Sequence, residues 1–197
     1  MSAAAITYDP PVGRWEPGGR ERLQTAALDL FVEQGFEQTT VTQIAERAGL
    51  TERTFFRHFA DKREVLFDGQ DRLLSAFVDA VAAAPDGASA RELAEAAVTG
   101  SGDFFDDERR PWSRHRQQAI DAEPGLRERE SLKMGALAAA VAEALRVRGV
   151  EDPVADLAAD AAISVFRLSF VQWIAPGEDR TITDIQADLF AAQRALG

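Results

Sequence analysis

The sequence predicts an all-α protein of about nine helices, a three-helix N-terminal unit followed by a larger helical body. Three observations carry this. Apolar residues recur at i, i+3, i+4 and i+7 along most of the 197 residues, the period of an amphipathic helix. No segment shows the strict alternation of β-branched and polar residues that a half-buried strand requires. Glycine and proline cut the periodic stretches at Gly18-Gly19, Gly35, Gly49, Pro85-Asp86-Gly87, Gly100-Ser101-Gly102, Pro111, Pro124-Gly125, Gly149 with Pro153, and Pro176-Gly177, each a turn or helix-end signal.

Residues 1–17 mix Pro, Gly and isolated aromatics without period and read as a flexible arm. A first helix follows, with Leu23, Ala27, Leu30 and Phe31 on one face. Beyond the punctuated stretch Thr40–Asp61, a longer helix is expected from Asp61 to Ala84, using Val65, Leu66, Leu73, Phe77 and Val81 as its apolar positions. Asp61 and Glu64 have the spacing of a capping box at its start. Further helices are expected over 89–101, with a continuation toward 107, and over 111–121, 125–148, 153–175 and 182–195.

Composition excludes several classes. With no cysteine there is no disulfide framework, thiol nucleophile or cysteine-bound zinc. Residues 1–20 lack the basic start and apolar run of a secretory signal. The longest apolar region, Ala161–Ala175, is broken by Ser164, Arg167, Ser169 and Gln172, so no membrane span is expected and a cytoplasmic setting fits. His58 and His115 are the only histidines, which rules out a multi-histidine metal site. The acidic run Asp103–Glu108 lacks the alternating ligands and central glycine of a calcium loop. Ser113, His115 and Asp121 share one expected helix without a nucleophile elbow. Neither catalysis, a cofactor nor a metal is expected.

The stretch from Thr40 to Phe59 carries the strongest signal. Thr40 with Gln43 three positions on has the form of a capping box, opening a short helix whose inner side is Ile44, Ala45 and Ala48. Gly49 then supplies the left-handed backbone that ends it. Leu50 plugs the space between two helices, Thr51 caps the second, and Phe55 and Phe59 point inward at i, i+4. Two helices crossing steeply need a small residue at closest approach, here Ala45. The set matches a helix-turn-helix. Its second helix presents Glu52, Arg53, Thr54, Arg57 and His58 outward. In a major groove Arg53 can bind guanine through two hydrogen bonds, Thr54 can meet a base edge or thymine methyl, and Glu52 can accept from cytosine N4. Lys62 and nearby helix N-termini can hold phosphate.

A net charge of −11 opposes nucleic-acid binding. Residues 1–70 hold 8 Lys/Arg against 11 Asp/Glu, whereas residues 71–197 hold 14 against 22, so the acidity lies mainly in the later part. Thr51–Glu64 is locally +1, and affinity for DNA depends on local phosphate contacts.

The runs Gly35-Phe36-Glu37-Gln38-Thr39-Thr40-Val41-Thr42-Gln43-Ile44-Ala45 and Gly49-Leu50-Thr51-Glu52-Arg53-Thr54-Phe55-Phe56-Arg57-His58-Phe59, followed by Asp61-Lys62, resemble the N-terminal signature of the TetR family, over roughly residues 18–68. The resemblance implies an arm at 1–17, a DNA-binding domain at 18–68 and a ligand-binding and dimerisation domain at 69–197. It implies a homodimeric regulator, by family default a repressor, released from a palindromic operator on double-stranded DNA by a small-molecule effector. It places Glu52, Arg53 and Thr54 near bases, and Thr42, Thr51, Phe56, His58 and Lys62 near the DNA backbone. Phe56 stands where the family very often has tyrosine, so backbone affinity would lean on Thr42, Thr51, Lys62 or the arm-side Arg14, Arg20 and Arg22.

In the later part, the helix over 153–175 is apolar nearly all round, which requires cover on more than one side. Pairing it and the last helix with their symmetry mates would make a four-helix interface, using Leu157, Ala161, Val165, Leu168, Ile182, Ile185 and Leu189. Phe104, Phe105, Trp112, Arg116, Ile120, Met134, Phe166, Phe170 and Trp173 are the candidates for an aromatic-lined ligand pocket, with Arg116 or Arg167 available to an anion. Arg109, Arg110, Arg114 and Arg116 also have a plainer reading, as charges balancing Asp103, Asp106, Asp107 and Glu108. The alternative function is a helical ligand-binding or adaptor protein with weak or lost DNA binding, favoured by the acidity and by Phe56.

Overall fold

The computed structural model describes residues 18–196 and is all-α over them; the arm expected over 1–17, with Arg14, lies outside the described residues. Helices α1 (Gly19–Gln34), α2 (Val41–Arg47) and α3 (Glu52–His58) form the N-terminal head. The body holds α4 (Gln70–Ala83), α5 (Ala90–Thr99), α6 (Arg110–Ala122), α7 (Pro124–Val147), α8 (Val154–Trp173) and α9 (Ile182–Arg194).

Two cores follow from the apolar periods. The head core gathers Leu23, Leu30, Phe31, Ile44, Phe55 and Phe59. Ile120 of α6 and Leu126 of α7 join it, so the body grips the head through those two helices. The body core packs Phe77 and Val81 of α4, Leu93 and Val98 of α5, Leu137, Val141 and Leu145 of α7, and Ile163 and Phe166 of α8. Full burial of one such side chain contributes about 1.5–3 kcal/mol.

The region after α3 differs from expectation. Instead of one helix from Asp61 to Ala84, a 3-10 turn over Glu64–Phe67 precedes α4. Asp61 does cap that turn, accepting from the backbone N–H of Arg63 at 2.8 Å and of Glu64 at 3.1 Å. The Glu64 carboxylate does not close a capping box; it pairs with Arg129 and with Lys133 at 3.6 Å on α7. Gly69 at φ +86° then breaks the chain direction, a conformation that costs a side-chain-bearing residue about 1–2 kcal/mol. Similarly, the helix expected over 89–101 ends at Thr99, and the continuation toward 107 is a 3-10 turn over Gly102–Phe104 and irregular chain beyond it.

Candidate nucleic-acid interface and body cleft

The helix-turn-helix forms from short-range chemistry. The Thr40 hydroxyl accepts from Gln43 N–H at 3.2 Å while Gln43 Oε1 accepts from Thr40 N–H at 2.9 Å, a complete capping box. At the other end Leu50 N–H reaches Ala45 O at 2.8 Å and Gly49 N–H reaches Glu46 O at 2.9 Å, the paired bonds of a Schellman turn. Gly49 has φ +66°, and a Cβ there would sit 2.7 Å from the guanidinium of Arg22, which itself donates to Ala48 O. Thr51 caps α3 by accepting from Thr54 N–H at 3.2 Å. Ile44, Ala45 and Phe55 are buried and fix the crossing.

This places the residues expected near bases at the start of an exposed helix. Glu52 and Arg53 are exposed and Thr54 is half-buried. The Glu52 carboxylate accepts from the Thr42 hydroxyl, and the Thr51 and Thr54 hydroxyls are 3.0 Å apart, so α2 and α3 present a preorganised polar surface. Thr42 and Thr51 are exposed and His58 is half-buried. Phe56 is 55% exposed, its ring edge-on to Phe55 at 5.4 Å.

Lys62, expected near phosphate, is engaged within the head in the folded chain. Its ammonium donates to the carbonyls of Phe36 at 2.8 Å, Thr39 at 3.0 Å and Glu37 at 3.4 Å, and lies 4.2 Å from the Phe36 ring centre. All three of its N–H donors have acceptors in the α1–α2 connection. Arg20 and Arg22 are also engaged inside the head: Arg20 pairs with Asp68 through two hydrogen bonds, and Arg22 closes on Ala48 O.

An open cleft of about 1130 Å³ runs from the head into the body. Of the pocket candidates, Phe104, Phe105, Trp112, Arg116, Met134, Phe166 and Phe170 line it. Ile120 and Trp173 do not: Ile120 is fully buried in the head core and Trp173 in a separate cluster with Ile182 and Ile185. An apolar period identifies a covered face without saying which neighbour covers it. Arg116 is no uncommitted cation either. Its Nε donates to Leu66 O at 2.6 Å, its Nη1 to Glu130 at 3.2 Å, and its guanidinium stacks 5.3 Å from the Phe67 ring. Burial pushes its pKa down from the ordinary value, and Glu130 opposes that.

The other arginines are also structural. Arg110 is buried over Trp173 at 5.2 Å, donates to Arg180 O at 2.7 Å and pairs with Asp107 at 2.7 Å. Arg114 Nε donates to Ile174 O at 2.7 Å. Of the four, only Arg109, 3.8 Å from Asp106, and Arg110 pair within the expected acidic run.

The residues expected at a dimer interface divide into two groups. On α8, Leu157 and Leu168 are 65% and 58% exposed, with Val154 and Val171 on the same stripe and Ala161 half-buried. Val165, Ile182 and Ile185 are buried within the chain's own core, and Leu189 packs partly against it. The side chains of Val165, Ile182 and Ile185 thus have their partners within the protomer, whereas Leu189 keeps part of its surface open. Among the described residues no three His, Asp or Glu side chains are placed to hold a metal ion, and no helix is long and apolar enough to cross a membrane.

Comparison with known proteins agrees with this geometry. Residues 23–68 match the model of bacterial regulatory proteins of the tetR family. The regulator TcmR of Streptomyces glaucescens is 47% identical over 68 residues, covering 34% of this chain and 30% of TcmR. SrpR of Pseudomonas putida is 47% identical over 47 residues, covering 24% of this chain and 22% of SrpR. The chain thus matches under a third of the length of either relative. A TetR-family structure from Syntrophomonas wolfei superposes with a TM-score of 0.64 at 16% identity, covering 90% of this chain and 94% of that one. A transcriptional regulator from Pseudomonas aeruginosa PAO1 gives 0.62 at 20% identity, with 93% and 94% covered. At those identities the likeness establishes the fold.

Proposed function

We propose that this chain, whose residues 23–68 match the model of bacterial regulatory proteins of the tetR family, is a sequence-specific DNA-binding transcription regulator, a homodimer released from a palindromic operator by a small molecule. The observation that carries this reading is α3: it is short, capped, fixed by Phe55 against the head core, and exposes Glu52 and Arg53 in its first turn. That is the geometry with which a recognition helix enters the major groove.

Two further features support it. The exposed Val154, Leu157, Leu168 and Val171 stripe of α8 leaves an apolar helix face for a second copy, and two-fold pairing of heads matches a palindrome. The cleft is lined by Glu64, Leu66, Phe67 and Asp68 of the head–body linker, so an occupant touches the segment that sets head orientation. That linker is held by Arg116 at Leu66 O, by Arg129 and Lys133 at Glu64, and by Arg20 and Gln24 at Asp68.

A second reading, an adaptor with weak or lost DNA binding, is favoured by the internal use of Lys62 and by Phe56, which offers phosphate no hydroxyl. Selection from randomised duplexes separates the two. The regulator reading expects an enriched inverted repeat whose affinity falls with salt; recovery of no enriched sequence refutes it.

A further inference from the structure

The cleft has a charge character of its own. Seven cationic and six anionic side chains line it, in a chain of net charge −11. Its acids are largely occupied: Glu64 by Arg129 and Lys133, Asp68 by Arg20 and Gln24, Glu130 by Arg116 and Gln117. Three of its cations, Arg72 on α4, Arg127 on α7 and Arg167 on α8, have no carboxylate within ion-pair distance among the described residues, and of these Arg127 donates to Asp121 O. Asp71 adjoins Arg72 in sequence, but successive helical residues do not face one another.

The same cleft carries an aromatic wall. Phe105 sits 5.6 Å from Phe104, 5.6 Å from Phe166 and 5.7 Å from Phe170, centre to centre. The guanidiniums of Arg72 and Arg109 stand 5.6 and 5.7 Å from the Phe104 ring. We propose that the ligand of this cleft is an amphipathic organic anion, its acidic group paired with Arg72 and Arg167 and its apolar body laid on the Phe104, Phe105, Phe166 and Phe170 wall. This rests on the cleft being the effector site of the regulator reading above.

The physical case is one of matched desolvation. A neutral occupant covering the wall would strip water from two arginines and return no counter-charge, which is costly. A cationic one would add repulsion to that. A carboxylate or similar anion supplies the missing partner, and the planar guanidinium fork binds it with two parallel hydrogen bonds. The occupant also touches the linker region through Phe104, whose ring edge stands 3.3 Å from the position of a Cβ on Gly69. Any shift of Phe104 is felt where α4 leaves the linker.

Isothermal titration of the full chain with 2-naphthoate and octanoate, against the neutral amides of the same acids, tests this. The acids are expected to bind at one site per protomer, at least tenfold tighter than their amides. Arg72→Gln with Arg167→Gln should raise the Kd for the acids at least tenfold and leave amide binding unchanged; both side chains are exposed, and circular dichroism confirms folding. Amides binding as tightly as acids, acids failing to saturate, or a double variant that binds acids normally would each overturn the proposal. Acid binding that depends on these arginines but leaves operator binding unaltered refutes the effector reading while the ligand class stands.

Discussion

Replacing Lys62 distinguishes a structural clamp from a phosphate contact. Its ammonium closes two good hydrogen bonds, to Phe36 O at 2.8 Å and Thr39 O at 3.0 Å, and a longer one to Glu37 O at 3.4 Å. Hydrogen bonds to charged groups contribute about 1.5–3 kcal/mol each when buried. These carbonyls lie near the surface and regain water, so roughly half of that survives as a net loss. Adding about 0.5–1 kcal/mol for the cation over the Phe36 ring, Lys62→Ala should destabilise the fold by about 2–4 kcal/mol. For a chain of this size that lowers the melting midpoint by roughly 5–15 °C. Lys62→Met, which keeps most of the apolar stem, should lose most of the same stability, because the charge and its donors are what the loop uses. Thermal unfolding followed at 222 nm measures both variants, and salt-dependent operator binding measures the competing role. A phosphate contact from each protomer of the dimer would leave the midpoint in place and reduce the slope of log K against log salt by about 1.8. That pair of results would refute the clamp.

Three other outcomes follow from the geometry. Gly69→Ala puts a side chain at φ +86° against Phe104 at 3.3 Å and should cost about 1–2 kcal/mol, read from urea unfolding; a neutral effect would mean that the turn relaxes without cost. Glu178, whose pKa the hydrogen bonds from Arg180 hold down to about 2, stabilises the fold above its unfolded value near 4.5 and loses that contribution as pH falls toward 2. Glu178→Gln should therefore be less stable than the parent at neutral pH and equal to it below pH 2, and parallel stability curves would refute the pairing. Leu168→Glu, on an exposed position, should give monomers by light scattering with an unchanged far-ultraviolet spectrum; a persistent dimer would place the interface elsewhere.

The features legible in the sequence are those made by near neighbours. Thr40 with Gln43, Gly49, and Thr51 with Thr54 act across three to five residues, so their spacing alone announces a cap or a turn. The break at Asp68-Gly69 is equally local, yet the spacing of Val65, Leu66, Leu73, Phe77 and Val81 also fits one helix running through it. What stayed out of reach depends on partners far along the chain. Lys62 finds carbonyls more than twenty residues earlier, and Arg116 finds Leu66 O fifty residues earlier. Periodicity likewise marked α8 and α9 as apolar without separating Ile182 and Ile185, which the protomer covers, from Leu157 and Leu168, which it leaves open.

The same tertiary pairing bears on how an acidic chain would hold DNA. Of the cations in the described head, Arg20 pairs with Asp68, Arg47 with Glu33 and Arg63 with Asp61. Arg22 and Lys62 close on backbone carbonyls. Arg53 and Arg57, both on α3 and exposed, are the two without such a partner among the described residues. A dimer therefore brings about four uncommitted cations to its operator, and neutral hydroxyls and helix N–H groups displace no counterions by charge. With about 0.9 units of slope per neutralised phosphate, log K against log salt should fall with a slope of about −4. Specific binding would then rest unusually heavily on Arg53 at base edges, and non-specific binding would be weak at physiological salt. Filter binding from 50 to 300 mM KCl measures the slope. A value of about −7 or steeper would show that the internal ion pairs open on the DNA, and that the head's cations are not committed as the folded protein arranges them.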